Sequence, residues 1–381
     1  MDFSVQPLCV SVVNNCHGNT TTEHTELAQR KQLTMQQTTH EDFIRRSFTS
    51  LKPKPVSLST KALTQTAVID PEKGLPLVVE ANVPGLDLAE WAARLLPYLQ
   101  TQLLNTGGIL FRNFNVDSID KFKKFVHLIS PELLEYQERS TPRTEVSGEI
   151  YTATEYPADQ CITLHNESSY SANWAMKIWF YCAQAAAVGG ETPIADSRRV
   201  FELLDPKIKE RFIEKQVMYV RNYSEGADLP WQTVFQTTDP RAVEDYCRSA
   251  AIEFEWKDAT HLRTRQVRPA IATHPVTGET VWFNQAHLFH ISSLALPLRE
   301  SLLNLVEETD LPRNSYYGDG SAIETSVLDE IRDVYQQAAV LFPWQQGDVL
   351  MLDNMLAAHG RMSFTGPRKV LVAMAESYRQ G

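Results

Sequence analysis

The sequence predicts an α+β protein built around a β-sandwich or jelly roll, and three observations carry that expectation. Short β-like runs recur along the chain with long connections between them, the clearest helices are concentrated early, and nucleotide-binding signatures are missing. Neither a G-x-G-x-x-G after a strand nor a G-x-x-x-x-G-K-[ST] occurs, so a dinucleotide or nucleoside-triphosphate domain is unsupported.

At 381 residues, 43% hydrophobic and 22% charged, the chain is long and apolar enough to bury a large core. Lys and Arg number 36 against 47 Asp and Glu, a net charge of −11, which argues against a duplex nucleic acid partner because phosphate binding needs a basic face. No apolar run approaches the ~20 residues of a membrane span. Residues 1–13 hold Asp2 and no Lys or Arg, unlike a secretory leader, so the expectation is a soluble, cytoplasmic protein. Five cysteines (Cys9, Cys16, Cys161, Cys182, Cys247) with no framework spacing read as reduced thiols.

Residues 1–50 are rich in Thr, Asn, Gln and His without periodicity and read as a disordered tail, leaving 51–381 as one domain with insertions. The first element starts at Asp87, where Asp-Leu-Ala-Glu is a capping box, and Leu88, Trp91, Leu95, Leu99 and Leu103 form one apolar face. Gly107-Gly108 ends that helix and Ile109-Leu110-Phe111 follows as a buried strand. A second helix is predicted over 118–129, and two more start at Asp205-Pro206 and Asp239-Pro240, with Asp as N-cap and Pro at the position whose missing N–H costs nothing. Strands are predicted at 162–165, 177–182, 217–221, 281–284, 349–353 and 369–374. The stretch 312–342, with Gly318 and Gly320 and a helix around 328–339, reads either as a lid or as a plain connecting loop.

The sharpest chemical feature is His165-Asn166-Glu167 at a strand end. Residues i and i+2 of an extended segment point the same way, so an imidazole and a carboxylate can face one metal ion. His359, after the 349–353 strand, would complete a set of two imidazoles and one carboxylate, the arrangement that suits non-haem Fe(II) with open positions for a cosubstrate and O2. Arg368, entering the last strand, is placed to grip a dicarboxylate. His287 and His290, three apart, offer a positioning or packing role rather than zinc, since no third ligand of suitable spacing stands nearby.

In order along the chain, His165-Asn166-Glu167, then the run from Gly189-Gly190-Glu191-Thr192 to Asp196, then Thr273 to Gly278, then His359 and Arg368, resemble the TauD/TfdA family of Fe(II)/2-oxoglutarate dioxygenases over about residues 85–378. Tyr156 to Gln160, the run from His165 to Tyr170, Trp282 to His287 and Gly347 to Leu350 are similar to its SyrP-like branch from nonribosomal peptide pathways. The resemblance implies a double-stranded β-helix, or jelly roll, core with flanking helices. Within it His165, Glu167 and His359 would hold Fe(II), while Arg368 and Thr192 would hold the distal carboxylate of 2-oxoglutarate. Glu stands where the commoner family motif has Asp, and because a carboxylate fills that position, hydroxylation is preferred over halogenation.

The branch further implies oxidation at the β-carbon of an aspartate-like amino acid, either free or tethered to a peptidyl carrier protein, in specialised-metabolite biosynthesis. Arg139, Arg143, Arg221 and Asn222 are candidates to bind such an acidic substrate, or else they pair with local acids such as Glu138 and Glu145. Oxidation of another small acid such as a sulfonate, desaturation or cyclisation, and a metal-free jelly-roll binding protein are the other readings.

Overall fold

A computed structural model describes residues 63–135, 144–153, 156–223 and 229–379. The expected tail over 1–50, and with it Arg139 and Arg143, lie outside those residues. The frame is a seven-stranded sheet running Thr64–Asp70, Leu75–Ala81, Gly108–Arg112, Val349–Asp353, Trp174–Gln184, Lys369–Tyr378 and Tyr151–Thr152 from edge to edge. Neighbours are antiparallel except Leu75–Ala81 against Gly108–Arg112. A three-stranded sheet of Ile162–His165, Ala357–Arg361 and Ile194–Asp196 lies over it.

Strand alternation decides what each face buries. Val349 and Met351, with Ile109, Phe111, Trp179 and Tyr181, turn outward and pack under helices through Trp91, Leu99, Leu103, Phe122 and Phe125. Leu350 and Leu352, with Leu110, Ile178, Phe180 and Val372, turn inward and meet Ile194 and Ala357 of the small sheet, closing the sandwich with Phe342 and Trp344. The jelly-roll expectation is met by this pair of layers and its outer helices.

Most predicted helices form. Asp87 caps Leu88–Ala92 by accepting from the Glu90 N–H, Gly107 ends Leu96–Thr106 in a left-handed conformation (φ 72°), and Ser118, Asp205 and Asp239 each cap the expected helix. The single helix expected from Asp87 to Leu103 is in fact two, because Pro97 has no N–H to donate and restarts the helix one turn later. The hairpin Thr64–Asp70 with Leu75–Ala81, ahead of Asp87, was not foreseen.

The connection between Asp196 and Val349 carries a four-stranded sheet, Glu253–Trp256, Leu262–Arg268, Val217–Tyr223 and Arg313–Tyr317, with a core of its own around Trp231, Val243 and Leu262. The stretch 312–342, expected as a lid or a connecting loop, carries regular elements. Arg313–Tyr317 is an edge strand of that sheet, and the helix Thr325–Ala338 buries Leu328, Ile331, Val334, Tyr335 and Ala338. Gly318 donates to the Lys215 and Gln216 carbonyls, and a Cβ on it would stand 2.3 Å from Lys215 O, so this glycine serves close packing rather than hinging. Among the described residues no helix is long and apolar enough to cross a membrane.

Leu352 is fully buried between the two layers. Leu352→Ala is expected to cost about 2–5 kcal/mol of unfolding free energy in urea denaturation. A loss under about 1 kcal/mol would mean that the layers do not close on this side chain.

Candidate metal centre

Cross-strand register builds the site. Ala357–Arg361 is the middle strand of the small sheet, and His359 stands opposite His165 on one side and Ile194 on the other. Directly paired residues of antiparallel strands lie ~5 Å apart, and the two imidazole rings are 4.7 Å centre to centre. Glu167 lies beyond the end of Ile162–His165, just before a turn in which Ser168 takes a positive φ of 56°. The chain therefore does not continue as the extended strand the H-x-E spacing suggested, yet the carboxylate arrives where expected. Its Oε2 is 3.8 Å from His359 Nε2, and one ligand atom from each of His165, Glu167 and His359 lies within 4.8 Å of the others.

The donor set fits a divalent metal on its own chemistry. His165 donates its Nδ1–H to the Thr163 carbonyl at 2.8 Å, which fixes the tautomer and leaves the Nε2 lone pair available. Glu167 and His359 are buried. Two imidazoles and one carboxylate are the ligands that suit non-haem iron.

Beside the triad, a small cavity is lined by His165, Thr192, His359, Arg361 and Arg368, with Phe180 and Ile162 as apolar wall. Arg368 reaches it across a glycine. Its Nε donates to Gly190 O at 2.9 Å, and a Cβ on Gly190 would stand 2.9 Å from Arg368 Cδ, so the Gly189-Gly190 pair is what lets the guanidinium lie against the backbone. Burial, followed by the neighbouring Arg361 cation, lowers the Arg368 pKa to about 10, which leaves it charged at neutral pH. Among the described residues Arg368 has no carboxylate in an ion pair. Thr192 Oγ1 accepts from Trp344 Nε1 at 3.1 Å, which orients the hydroxyl at the cavity wall.

Arg361 was not singled out from the sequence. Two residues after His359 on the same strand, it donates to the carbonyls of Tyr156, Pro157 and Gln160 and so ties the 156–160 segment to the cavity. The i, i+2 rule applied to His165 and Glu167 would have found it.

The substrate candidates fare differently. Asn222 turns to the outer face of its sheet, donating to Thr309 O and Leu311 O and accepting from Arg263 Nε, so its amide is committed to holding a loop. Arg221 is buried on the opposite face, its guanidinium 4.7 Å from the Tyr223 ring, directly across from Arg313. Neither lines the cavity beside the triad.

His287 is fully buried and donates its Nε2–H to Leu164 O at 2.9 Å, next to His165, while its ring lies against Tyr335. These contacts agree equally with the two roles expected of it, positioning and packing. His290 accepts from Ser292 N–H at its own turn.

Residues 62–374 match the family described as "Taurine catabolism dioxygenase TauD, TfdA family". The chain belongs to the TauD/TfdA family. It is accordingly a dioxygenase that works with Fe(II), 2-oxoglutarate and O2. Over 274 residues it is 46% identical to the dapdiamide synthesis protein DdaC of Enterobacter agglomerans, covering 72% of this chain and 83% of that one. Over 290 residues it is 30% identical to a clavaminate synthase-like protein of Arabidopsis thaliana, covering 73% and 84%. Among solved structures it shares a fold with PvcB of Pseudomonas aeruginosa, at 15% identity and a TM-score of 0.50, covering 85% of this chain and 94% of that one.

Burial holds His287 and His290 neutral, with pKa values lowered to about 3 and about 4. The unfolded imidazoles take up protons near pH 6.5 while the folded ones do not, so stability is full above pH 6.5 and is lost as the pH falls toward 4. Each contributes a slope of about 1.4 kcal/mol per pH unit in that window. His287→Gln should flatten the decline between pH 6.5 and 4.5 in urea unfolding, and an unchanged slope would exclude His287 as a source of acid sensitivity.

Proposed function

We propose that the chain hydroxylates an aliphatic C–H of an amino-acid-like acid, with Fe(II) on His165, Glu167 and His359 and the distal carboxylate of 2-oxoglutarate on Arg368 and Thr192. The observation that carries the reading is the meeting of three metal-ligating atoms within 4.8 Å beside a half-buried guanidinium that has no carboxylate partner among the described residues. When bound, the iron supplies oxygen activation coupled to oxidative decarboxylation of 2-oxoglutarate.

The chain's own residues do the rest. His165 and His359 present neutral nitrogen donors, and Glu167 brings one negative charge that offsets part of the metal's. Arg368 offers two N–H groups to a carboxylate in fork geometry, and Thr192 adds a hydroxyl. Phe180, 5.0 Å from the His359 ring, and Ile162 form the apolar part of the cavity wall. A carboxylate at position 167 occupies the place a halide would need, which favours hydroxylation.

The β-carbon of an aspartate-like amino acid is the preferred target, within specialised-metabolite biosynthesis in the cytoplasm. Support comes from the resemblance to the SyrP-like branch and from similarity to a protein named for dapdiamide synthesis. Delivery is as the free acid or on a peptidyl carrier protein. Similarity to a clavaminate synthase-like protein supports a second reading, in which the same centre desaturates its substrate or closes a ring.

The test is anaerobic Fe(II) loading followed by O2, with succinate release measured over a panel of free amino acids and carrier-bound aminoacyl thioesters and mass spectrometry of each product. A gain of one oxygen supports hydroxylation, a loss of two hydrogens supports the second reading, and succinate without a modified panel member removes the substrate class. His165→Ala and His359→Ala should each lower turnover by more than ~100-fold through loss of iron. Arg368→Ala should raise the 2-oxoglutarate KM by about 10- to 100-fold, the equivalent of a charge-assisted hydrogen bond of ~1.5–3 kcal/mol.

A further inference from the structure

The residue that bears the metal carboxylate has its backbone held by a side chain from a distant strand end. Asn354 is fully buried, its Oδ1 accepts from Glu167 N–H at 2.7 Å, and its Nδ2 donates to Glu167 O at 2.9 Å and to Ala175 O at 2.8 Å. An N–H on one side and two carbonyls on the other leave one amide orientation that works. The Asn354 carbonyl in turn accepts from Asn166 Nδ2 at 2.6 Å, and its own N–H donates to Met176 O. A regular sheet gives a strand residue two ladder bonds. At Glu167, past the end of Ile162–His165, one asparagine side chain takes the place of both.

We infer that Asn354 is a positioning residue that sets the depth of Glu167 in the metal centre, and that this clamp is matched to a Glu rather than an Asp arm. The inference rests on the proposed metal role of Glu167. With the backbone N–H and carbonyl both held, the carboxylate reaches His359 only through its own side-chain torsions, and the 3.8 Å separation is reached with a glutamate. An aspartate on the same backbone stops one C–C bond short, about 1.5 Å. Metal binding is sensitive to displacements of that size, since ligand distances are confined to within ~0.2 Å.

The experiment is an anaerobic Co(II) titration of the metal-free protein, followed by visible d–d absorption. Wild type should bind and His359→Ala should not. If both take up Co(II) alike, the metal reading fails and the inference with it. Asn354→Ser should bind Co(II) about 10- to 100-fold more weakly, with altered bands. Asn354→Asp, which keeps size and the acceptor for Glu167 N–H but loses both donors, covers the case in which the serine variant does not fold. Asp205→Ala, a helix-cap variant, controls for stability loss and should leave the Co(II) spectrum unchanged.

A double-mutant cycle decides whether the effect is positional. If Asn354 sets the depth, releasing the clamp lets a shorter arm approach, so Glu167→Asp with Asn354→Ser loses less affinity than the product of the two single losses. Multiplicative losses, or wild-type affinity and bands in both Asn354 variants while His359→Ala is dead, would overturn the inference and leave the metal reading intact.

Discussion

Everything at the centre hangs on the register of one strand. Ala357–Arg361 lies between Ile162–His165 and the strand that follows Thr192, and with His359 opposite both His165 and Ile194 its imidazole falls between the partner histidine and the cavity wall. A slip of one residue would turn His359 to the other face, so the metal geometry and the core packing cannot be set independently. Ala357 belongs to the sandwich core while Ala358 packs with Val200 and Trp282 on the other side, which pins that register from both faces.

The polar interior around the centre follows from this arrangement. Past His165 the chain leaves the ladder, and buried backbone groups without partners would each cost ~1–3 kcal/mol. They are met by side chains instead: His287 on Leu164 O, Gln285 and Ser169 on Asn166 O, Asn354 on both groups of Glu167. The turn that delivers the His359 strand is held in the same way, with Asp353 Oδ1 accepting from Met355 and Leu356 N–H and Oδ2 from His274 Nε2–H. Side-chain bonds that satisfy buried backbone groups in this way confer a single conformation more than they confer raw stability.

The sequence revealed the parts of this design that follow local rules. Caps at Asp87, Asp205 and Asp239, the helix that follows Ser118, the Gly107 stop and the strands 162–165 and 349–353 are set by neighbours in the chain, and they fall where expected. The two histidines and the glutamate were legible because their order and surroundings resemble a family pattern. Less legible were features decided by distant contacts. The 325–338 helix is fixed in the core by packing that periodicity alone does not locate, and Asn222 and Arg221 were separated by strand alternation about a pairing invisible from one strand, whereas the unforeseen hairpin at 64–81 does carry a local turn signal in Asp70-Pro71 and Gly74. Asn354 carries no signal of its role, since nothing in its neighbourhood announces a partner 187 positions away.

The side-chain bonds that replace the ladder also bear on transplantation. Loops that satisfy their own backbone can be exchanged between relatives as modules. The segment from Leu164 to Ser169 is different, because its amides and carbonyls are completed by residues 285, 287 and 354. Grafting it into another scaffold would carry over the ligands without the groups that aim them. Recombination that respects this linkage has to move residues 164 to 354 as one unit, with the four-stranded sheet of the connection carried along inside it.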